Sequence, residues 1–266
     1  MINVISFDKL GLEFIVNRAA FKIGGFPIYW YGILIATGLL LASLYAFSEC
    51  KKTSVSSEDF LNMLLIAIPV SIICARLYFV IFSFDSYKNN LADVFDIRSG
   101  GLAIYGGIIG AFIVIISYCR IKKTDLFKVL DIVAVGLLIG QAIGRWGNFV
   151  NGEAFGGFTN LAWAMTIKSD GVLIAESVHP TFLYESLWNA LGLLLLLIYK
   201  KHKKFDGELI SIYFMWYGLG RAFIEGLRAD SLYIGSFRAS QLLSCGIIIL
   251  GALIMIIKRL KIKSEQ

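Results

Sequence analysis

Gly144-Arg145-Trp146-Gly147-Asn148-Phe149-Val150-Asn151-Gly152-Glu153-Ala154-Phe155-Gly156-Gly157 closes an apolar run that begins near Leu126. One arginine, two asparagines, a glutamate and five glycines are crowded into these fourteen positions. Beside lipid, so many hydrogen-bonding groups are costly unless they line a cavity or a substrate path. In water they cost nothing and require no function, so the depth at which the run ends separates a site from a polar loop.

The surroundings of the stretch are apolar. Of 266 residues, 58% are hydrophobic and only 17% charged, and the mean hydropathy is +0.74. A soluble core cannot hide that much apolar surface, which predicts an all-α polytopic membrane protein. Seven runs are near the roughly 20 residues a helix needs to cross a bilayer core. They are 28–47, 60–84, 102–119, 126–144, 180–199, 209–226 and 239–257. The whole chain, 1–266, reads as one integral membrane domain. Residues 1–25 carry no basic leader with a cleavage site, and their mixed apolar and basic residues suit an external arm lying on the membrane surface. Residues 145–179 form the largest connection, where two β-prone runs around Asp170-Gly171 predict a hairpin in a small external head between helices four and five.

Basic residues set the orientation. Lys51 and Lys52; Arg120, Lys122, Lys123 and Lys128; Lys200, Lys201, Lys203 and Lys204; and Lys258, Arg259, Lys261 and Lys263 make up more than half of the 25 lysines and arginines. These groups fall on one face of the predicted topology. The positive-inside rule places that face in the cytoplasm, with the N-terminus outside and the C-terminus inside. The net charge of +6 is therefore topological, and no nucleic acid is needed to explain it. Four scattered cysteines lack metal-ligand spacing and two histidines are too few for a histidine-rich centre, so no metal or cofactor is implied.

Once oriented, the unusual residues gather toward the outer face. Tyr217, Arg221 and Glu225 are spaced by four and climb one helical stripe, with Arg228 about a turn beyond. Arg221 and Glu225 alone could be a self-neutralising pair. Arg76 stands deep in the second run after Pro69, too far from an end to snorkel easily, which calls for a partner such as Glu185 or for a ligand. Gly136, Gly140 and Gly144 form a small-residue face for helix packing. The Gly100-Gly101 and Gly106-Gly107 pairs beside Tyr105 suit either close approach to a ligand or ordinary helix packing. Pro180 is ordinary helix-start grammar and His179 a possible cap, but Glu185 and Asn189, one turn apart in an apolar helix, suggest burial against Arg76 or Arg145. Tyr31 is equally readable as an aromatic-belt residue.

Arg76, Arg145, Arg221 and Arg228 thus converge on the outer half. A guanidinium fork suits phosphate oxygens, binding through paired hydrogen bonds and a charge that does not titrate away. The residues themselves lead to an enzyme or transporter acting on an anionic lipid of the outer leaflet. Transporters are expected to show paired repeats or interrupted helices at the midplane, and neither is visible. A metal-dependent phosphoryl transferase would need paired acidic residues, and no such cluster is visible either.

The stretch 144–157 resembles the signature of the bacterial prolipoprotein diacylglyceryl transferases. The resemblance extends through Ile23-Gly24 to Trp30-Tyr31-Gly32, Ala75-Arg76-Leu77-Tyr78, Gly100 to Gly107, Gly140-Gln141 to Gly156, His179-Pro180 to Tyr184-Glu185, and Tyr217-Gly218 to Arg221, Glu225, Arg228 and Asp230. It implies seven spans with the N-terminus outside, in the bacterial cytoplasmic membrane, and an active site toward the outer leaflet. The implied reaction moves the diacylglyceryl group of phosphatidylglycerol to the thiol of a prolipoprotein lipobox cysteine, forming a thioether and releasing glycerol phosphate. By the same resemblance, Arg145 and Arg221 hold the lipid phosphate, joined at the lipid by Arg76. Asn148, Asn151, Glu153 and Gly156 shape the site, and Tyr31, Tyr217 and Glu225 orient the headgroup and arginines.

Elementary chemistry fits that reaction. Displacement at a glyceryl CH2 needs a thiolate and a stabilised leaving phosphate. One departure stands out: many relatives carry histidine, a proposed catalytic base, where this chain has Tyr105. A phenol with an ordinary pKa of about 10 is a poor base at neutral pH unless arginines lower it. Either Tyr105 serves in altered form, or the proton leaves through another group or water.

Overall fold

The computed structural model describes residues 1–88, 90–96, 100–229, 233–234 and 237–264. Each of the seven apolar runs contains one long helix: α1 (Trp30–Cys50), α2 (Ser57–Phe82), α3 (Ile104–Lys122), α4 (Leu126–Asn151), α5 (Thr181–Tyr199), α6 (Glu208–Glu225) and α7 (Ala239–Ser264). Six are long and apolar enough to cross a membrane. The remaining one, α6, holds Glu208, Arg221 and Glu225 within eighteen residues, so its composition alone does not mark it as a span.

The chain is mostly helical, and the all-α expectation needs correcting. Strands β1 (Ile2–Phe7), β2 (Leu12–Asn17), β5 (Met165–Ser169) and β6 (Val172–Val178) make an antiparallel sheet in the order β2-β1-β5-β6. β5 and β6 are joined at Asp170-Gly171, where both residues take positive φ. The physical reason for β1 is its alternation: Asn3, Ile5 and Phe7 face inward and are buried, at the period of two that a half-buried strand requires. β3 (Ala19–Ile23), the last strand of residues 1–25, then pairs with β4 (Phe26–Tyr29) just before α1.

Backbone contacts divide the chain into two compact units, Met1–Ala46 with Leu130–Gln266, and Phe47–Val129. In the second unit, Ser56 caps α2 by accepting from the Asp59 amide, and Glu58 and Asp59 complement the helix dipole in its first turn. α3 packs on α2 through glycine. A Cβ at Gly106 would lie 2.5 Å from Tyr78 Cβ, and one at Gly110 2.9 Å from Cys74 Cβ. Both glycines therefore serve helix approach.

In the first unit, the small-residue face of α4 meets α1. A Cβ at Gly38 would sit 3.2 Å from Gly140 Cα, one at Gly136 3.5 Å from Ala42 Cβ, and one at Gly144 3.3 Å from Ile35. The α5–α6 contact is a reciprocal lock. Trp188 and Trp216 stack at 4.3 Å between centroids, and each indole N–H donates to the other residue's carbonyl at 3.0 Å. Trp216 covers Gly192 and Trp188 covers Gly220, where any Cβ would collide with the indole. The sheet packs Ile5, Phe7, Met165, Ile167, Ala175 and Val178 onto Phe182 of α5, with Phe149 of α4 beside them.

The start of α6 is capped from a distance. Gly207 precedes it and offers no side chain, so buried Asp131 of α4 accepts from the amides of Gly207 and Ile210, both at 2.9 Å, and pairs with Lys203 at 3.0 Å. These bonds satisfy donors that a helix start otherwise leaves open. Asp131→Ala should lower stability by about 1–3 kcal/mol, the cost of stranding buried donors. Thermal unfolding in detergent micelles checks this, and Asp131→Asn, which keeps an acceptor, should lose less.

Candidate functional site

α4 does not stop at Gly144. It runs to Asn151, so Arg145, Asn148 and Asn151 stand on its last two turns at a spacing of three, along one face. The helix then ends in a Schellman turn. Gly152 takes φ +64°, its amide donates to Phe149 O at 3.0 Å, and the Glu153 amide donates to Asn148 O at 3.1 Å. That turn swings the Glu153 carboxylate back over the helix end, where it accepts from Asn148 Nδ2 at 3.0 Å and from Asn151 Nδ2 at 3.2 Å. Asn148 Oδ1 in turn accepts from Arg145 Nη1 at 3.4 Å. The ring of Tyr31 lies against Gly147, leaving no room for a side chain there.

α5 supplies the group that gathers the arginines. Glu185 is 5% exposed. Its Oε2 pairs with Arg145 Nη2, and its Oε1 lies 3.3 Å from Arg221 Nη1 and 3.7 Å from Arg228 Nη1. Arg221 Nη2 also pairs with Glu225 Oε2 at 2.7 Å, one turn along α6. The Arg221–Glu225 pair is therefore part of a larger cluster in which, among the described residues, Glu185 and Glu225 meet three guanidinium groups. The three arginine side chains are 12–24% exposed.

Gly156 belongs to the frame. A Cβ there would lie 2.6 Å from His179 Cβ and 2.8 Å from Leu227 O. Its amide donates to His179 O at 2.9 Å, and Gly157 N donates to Leu227 O at 2.8 Å, so the loop after the signature is laced to the starts of α5 and the end of α6. His179 is more than a cap: its Nδ1 is 3.2 Å from Tyr184 OH, which accepts from Trp163 Nε1 at 2.7 Å. Burial pushes the His179 imidazole below its ordinary pKa. Tyr217 stacks on Tyr213 at 5.8 Å and lines a small cavity with Glu185, Asn189 and Arg221.

Two expected site residues lie in the Phe47–Val129 unit. Arg76 is buried, but a carboxylate is not what satisfies it. Its Nε donates to Val94 O at 2.9 Å, Nη1 to Gly100 O at 2.7 Å and Gly101 O at 3.1 Å, and Nη2 to Asp93 O at 2.5 Å. Four of five N–H donors are thereby used. Gly100 and Gly101, at φ +95° and +75°, turn these carbonyls inward, and a Cβ at Gly101 would strike the Arg76 side chain. Tyr105 opens α3 partly exposed, with its ring 6.4 Å from that of Tyr78. Asp230 lies outside the described residues.

Sequence reasoning paired Glu185 with one arginine at most. Its role as partner to three had one available signal, a lone carboxylate in an apolar helix facing an arginine-rich neighbour. The His179–Tyr184–Trp163 chain left no such signal, because the β5–β6 hairpin separates Trp163 from the other two in sequence.

Comparison with known proteins bears on this geometry. The family model of prolipoprotein diacylglyceryl transferase matches residues 18–257. The chain is 50% identical over 253 residues to the phosphatidylglycerol–prolipoprotein diacylglyceryl transferase of Finegoldia magna, covering 94% of this chain and 100% of the relative. It is 47% identical over 229 residues to the enzyme of that name from Clostridioides difficile, covering 86% and 90% of the two chains. The Listeria welshimeri enzyme of that name is 46% identical over 252 residues, covering 92% and 91%.

Glu185→Ala would leave Arg145, Arg221 and Arg228 crowded around a single carboxylate. The expected loss is about 3 kcal/mol, at the low end for breaking a buried charge pair because the arginines reach solvent. Thermal unfolding in micelles measures it, and Glu185→Gln, which keeps the shape and one acceptor, should fall between Ala and the unsubstituted protein.

Proposed function

The chain belongs to the prolipoprotein diacylglyceryl transferase family, and we propose that it transfers the diacylglyceryl group of phosphatidylglycerol to the thiol of a lipobox cysteine. The cysteine sulfur bonds to the glyceryl CH2, the C–O bond to phosphate breaks, and glycerol phosphate leaves with that electron pair. The thiol proton passes to a base or to the departing phosphate. The observation that carries this reading is the Glu185 cluster, in which one buried carboxylate holds Arg145 and Arg221 from separate helices. Guanidinium groups fixed before substrate arrives need little reorganisation as charge develops on the leaving phosphate.

Arg145 and Arg221 hold the phosphate, and Glu225 keeps Arg221 aligned. Asn148, Asn151 and Glu153 keep Arg145 at the end of α4, Gly156 permits the close loop, and Tyr31 and Tyr217 flank the headgroup. Arg76, already engaged by four carbonyls, holds the connection before α3. Tyr105 takes the thiol proton only as phenolate; otherwise the proton leaves through another group, water or the departing phosphate.

The chain spans the cytoplasmic membrane seven times, with the N-terminus outside and the reaction at the outer leaflet. In support, Glu185 and Lys200 stand fifteen residues apart along α5, roughly 22 Å of helix, so the arginine cluster and the lysine-rich turn lie at opposite ends. α6 crosses despite its charges because Arg221 is paired with Glu185 and Glu225, and Glu208 with Arg259 at 3.1 Å. Lipid enters sideways between helices from the outer leaflet, and the lipidated product leaves the same way.

Purified protein incubated with phosphatidylglycerol and a lipobox peptide should yield thioether-lipidated peptide. Arg145→Ala and Arg221→Ala should each reduce transfer at least a hundredfold, the scale of removing one charge-stabilising group. Full activity in both, with insertion intact, defeats the phosphate assignment. Tyr105→Phe should abolish transfer and Tyr105→His restore it; an undiminished rate in the Phe variant removes Tyr105 from the proton path.

A further inference from the structure

Asn189 is an anomaly within α5. It is 4% exposed, and among the described residues no hydrogen bond engages its side-chain amide. A polar side chain on a cavity wall without a protein partner is seldom kept unless a ligand, a water or a function answers it. Asn189 lines the small cavity it shares with Glu185, Trp188, Tyr217, Gly220 and Arg221. The cavity offers about 10 Å³, the room of one hydroxyl or one water.

Its walls narrow the chemistry. The lock between Trp188 and Trp216 fixes one side, and Gly220 leaves the space that Trp188 borders. Arg221 spans two environments, lining the cavity while pairing with Glu185 and Glu225 in the arginine cluster. A neutral amide both donates and accepts. A hydroxyl answers both roles, whereas an ammonium would answer only the acceptor and would be repelled by Arg221.

We propose that Asn189 is a specificity-determining residue that reads a hydroxyl of the lipid's headgroup glycerol when the phosphate rests on Arg221. This rests on the phosphatidylglycerol reading above. Asn189 touches the leaving half of the donor, so it selects which anionic lipid is used and takes no part in bond breaking.

The test uses the full chain in micelles, a lipobox peptide, and two donors with the same acyl chains: phosphatidylglycerol and phosphatidylpropanol, which carries the same phosphate charge without headgroup hydroxyls. The unsubstituted protein should favour phosphatidylglycerol in kcat/KM by about ten- to a hundredfold, the effect of leaving one buried polar group unanswered. Asn189→Ala should bring that ratio to within threefold of one while keeping the phosphatidylpropanol rate. Asn189→Ser, smaller but still polar, should give an intermediate ratio and covers the case in which the Ala variant does not accumulate. A ratio unchanged by both substitutions means that the cavity holds a resident water only and overturns the proposal, as does an equal fall with both donors. Absence of product from phosphatidylglycerol with the unsubstituted protein would instead sink the transfer reading itself.

Discussion

A single carboxylate meeting three guanidinium groups is the constraint around which the site is built. Glu185 is almost fully buried, and burying a charge is tolerable only when opposite charges answer it. Arg145, Arg221 and Arg228 do so from the end of α4, from α6 and from just beyond α6. Repulsion among the three is offset by Glu185 and Glu225, which hold the guanidinium groups in fixed positions. The surrounding features keep that carboxylate in place. The Trp188–Trp216 lock fixes α5 against α6, the glycine face of α4 admits α1, and the loop through Gly156 and Gly157 fastens the chain around His179 and Leu227.

Much of the helical frame was legible in the sequence. Each apolar run contains one helix, because uninterrupted hydrophobicity of that length leaves the backbone little choice but to satisfy itself internally. Boundaries were less legible. By composition the run ends at Gly144, where polar residues follow, yet the helix continues through Asn151, and Gly152 at positive φ stops it. Polarity marked the change of environment and glycine marked the change of conformation, eight residues apart. The sheet was hidden for another reason: β1 pairs with β5 across more than 150 residues, and no local pattern reports a partner so distant.

Candidate site residues divide along similar lines. Spacing along α6 put Arg221 and Glu225 on one stripe, and they form an ion pair. Arg76 shows the limit of composition: an arginine deep in an apolar run signals that something must satisfy it, but carbonyls do so as well as carboxylates. The positive φ values of Gly100 and Gly101, which turn those carbonyls inward, are written as two glycines that read equally well as ligand contacts.

The pairing of β1 with β5 also bears on biosynthesis. Ile5, wholly buried in the finished sheet, leaves the ribosome long before Ile167, opposite which it finally sits. Until then β1 has β2 on one side and an open edge on the other, the kind of edge that invites pairing with foreign chains. Assembly of this sheet thus waits for four intervening helices to be made, and β1 finds its second neighbour only after they have emerged.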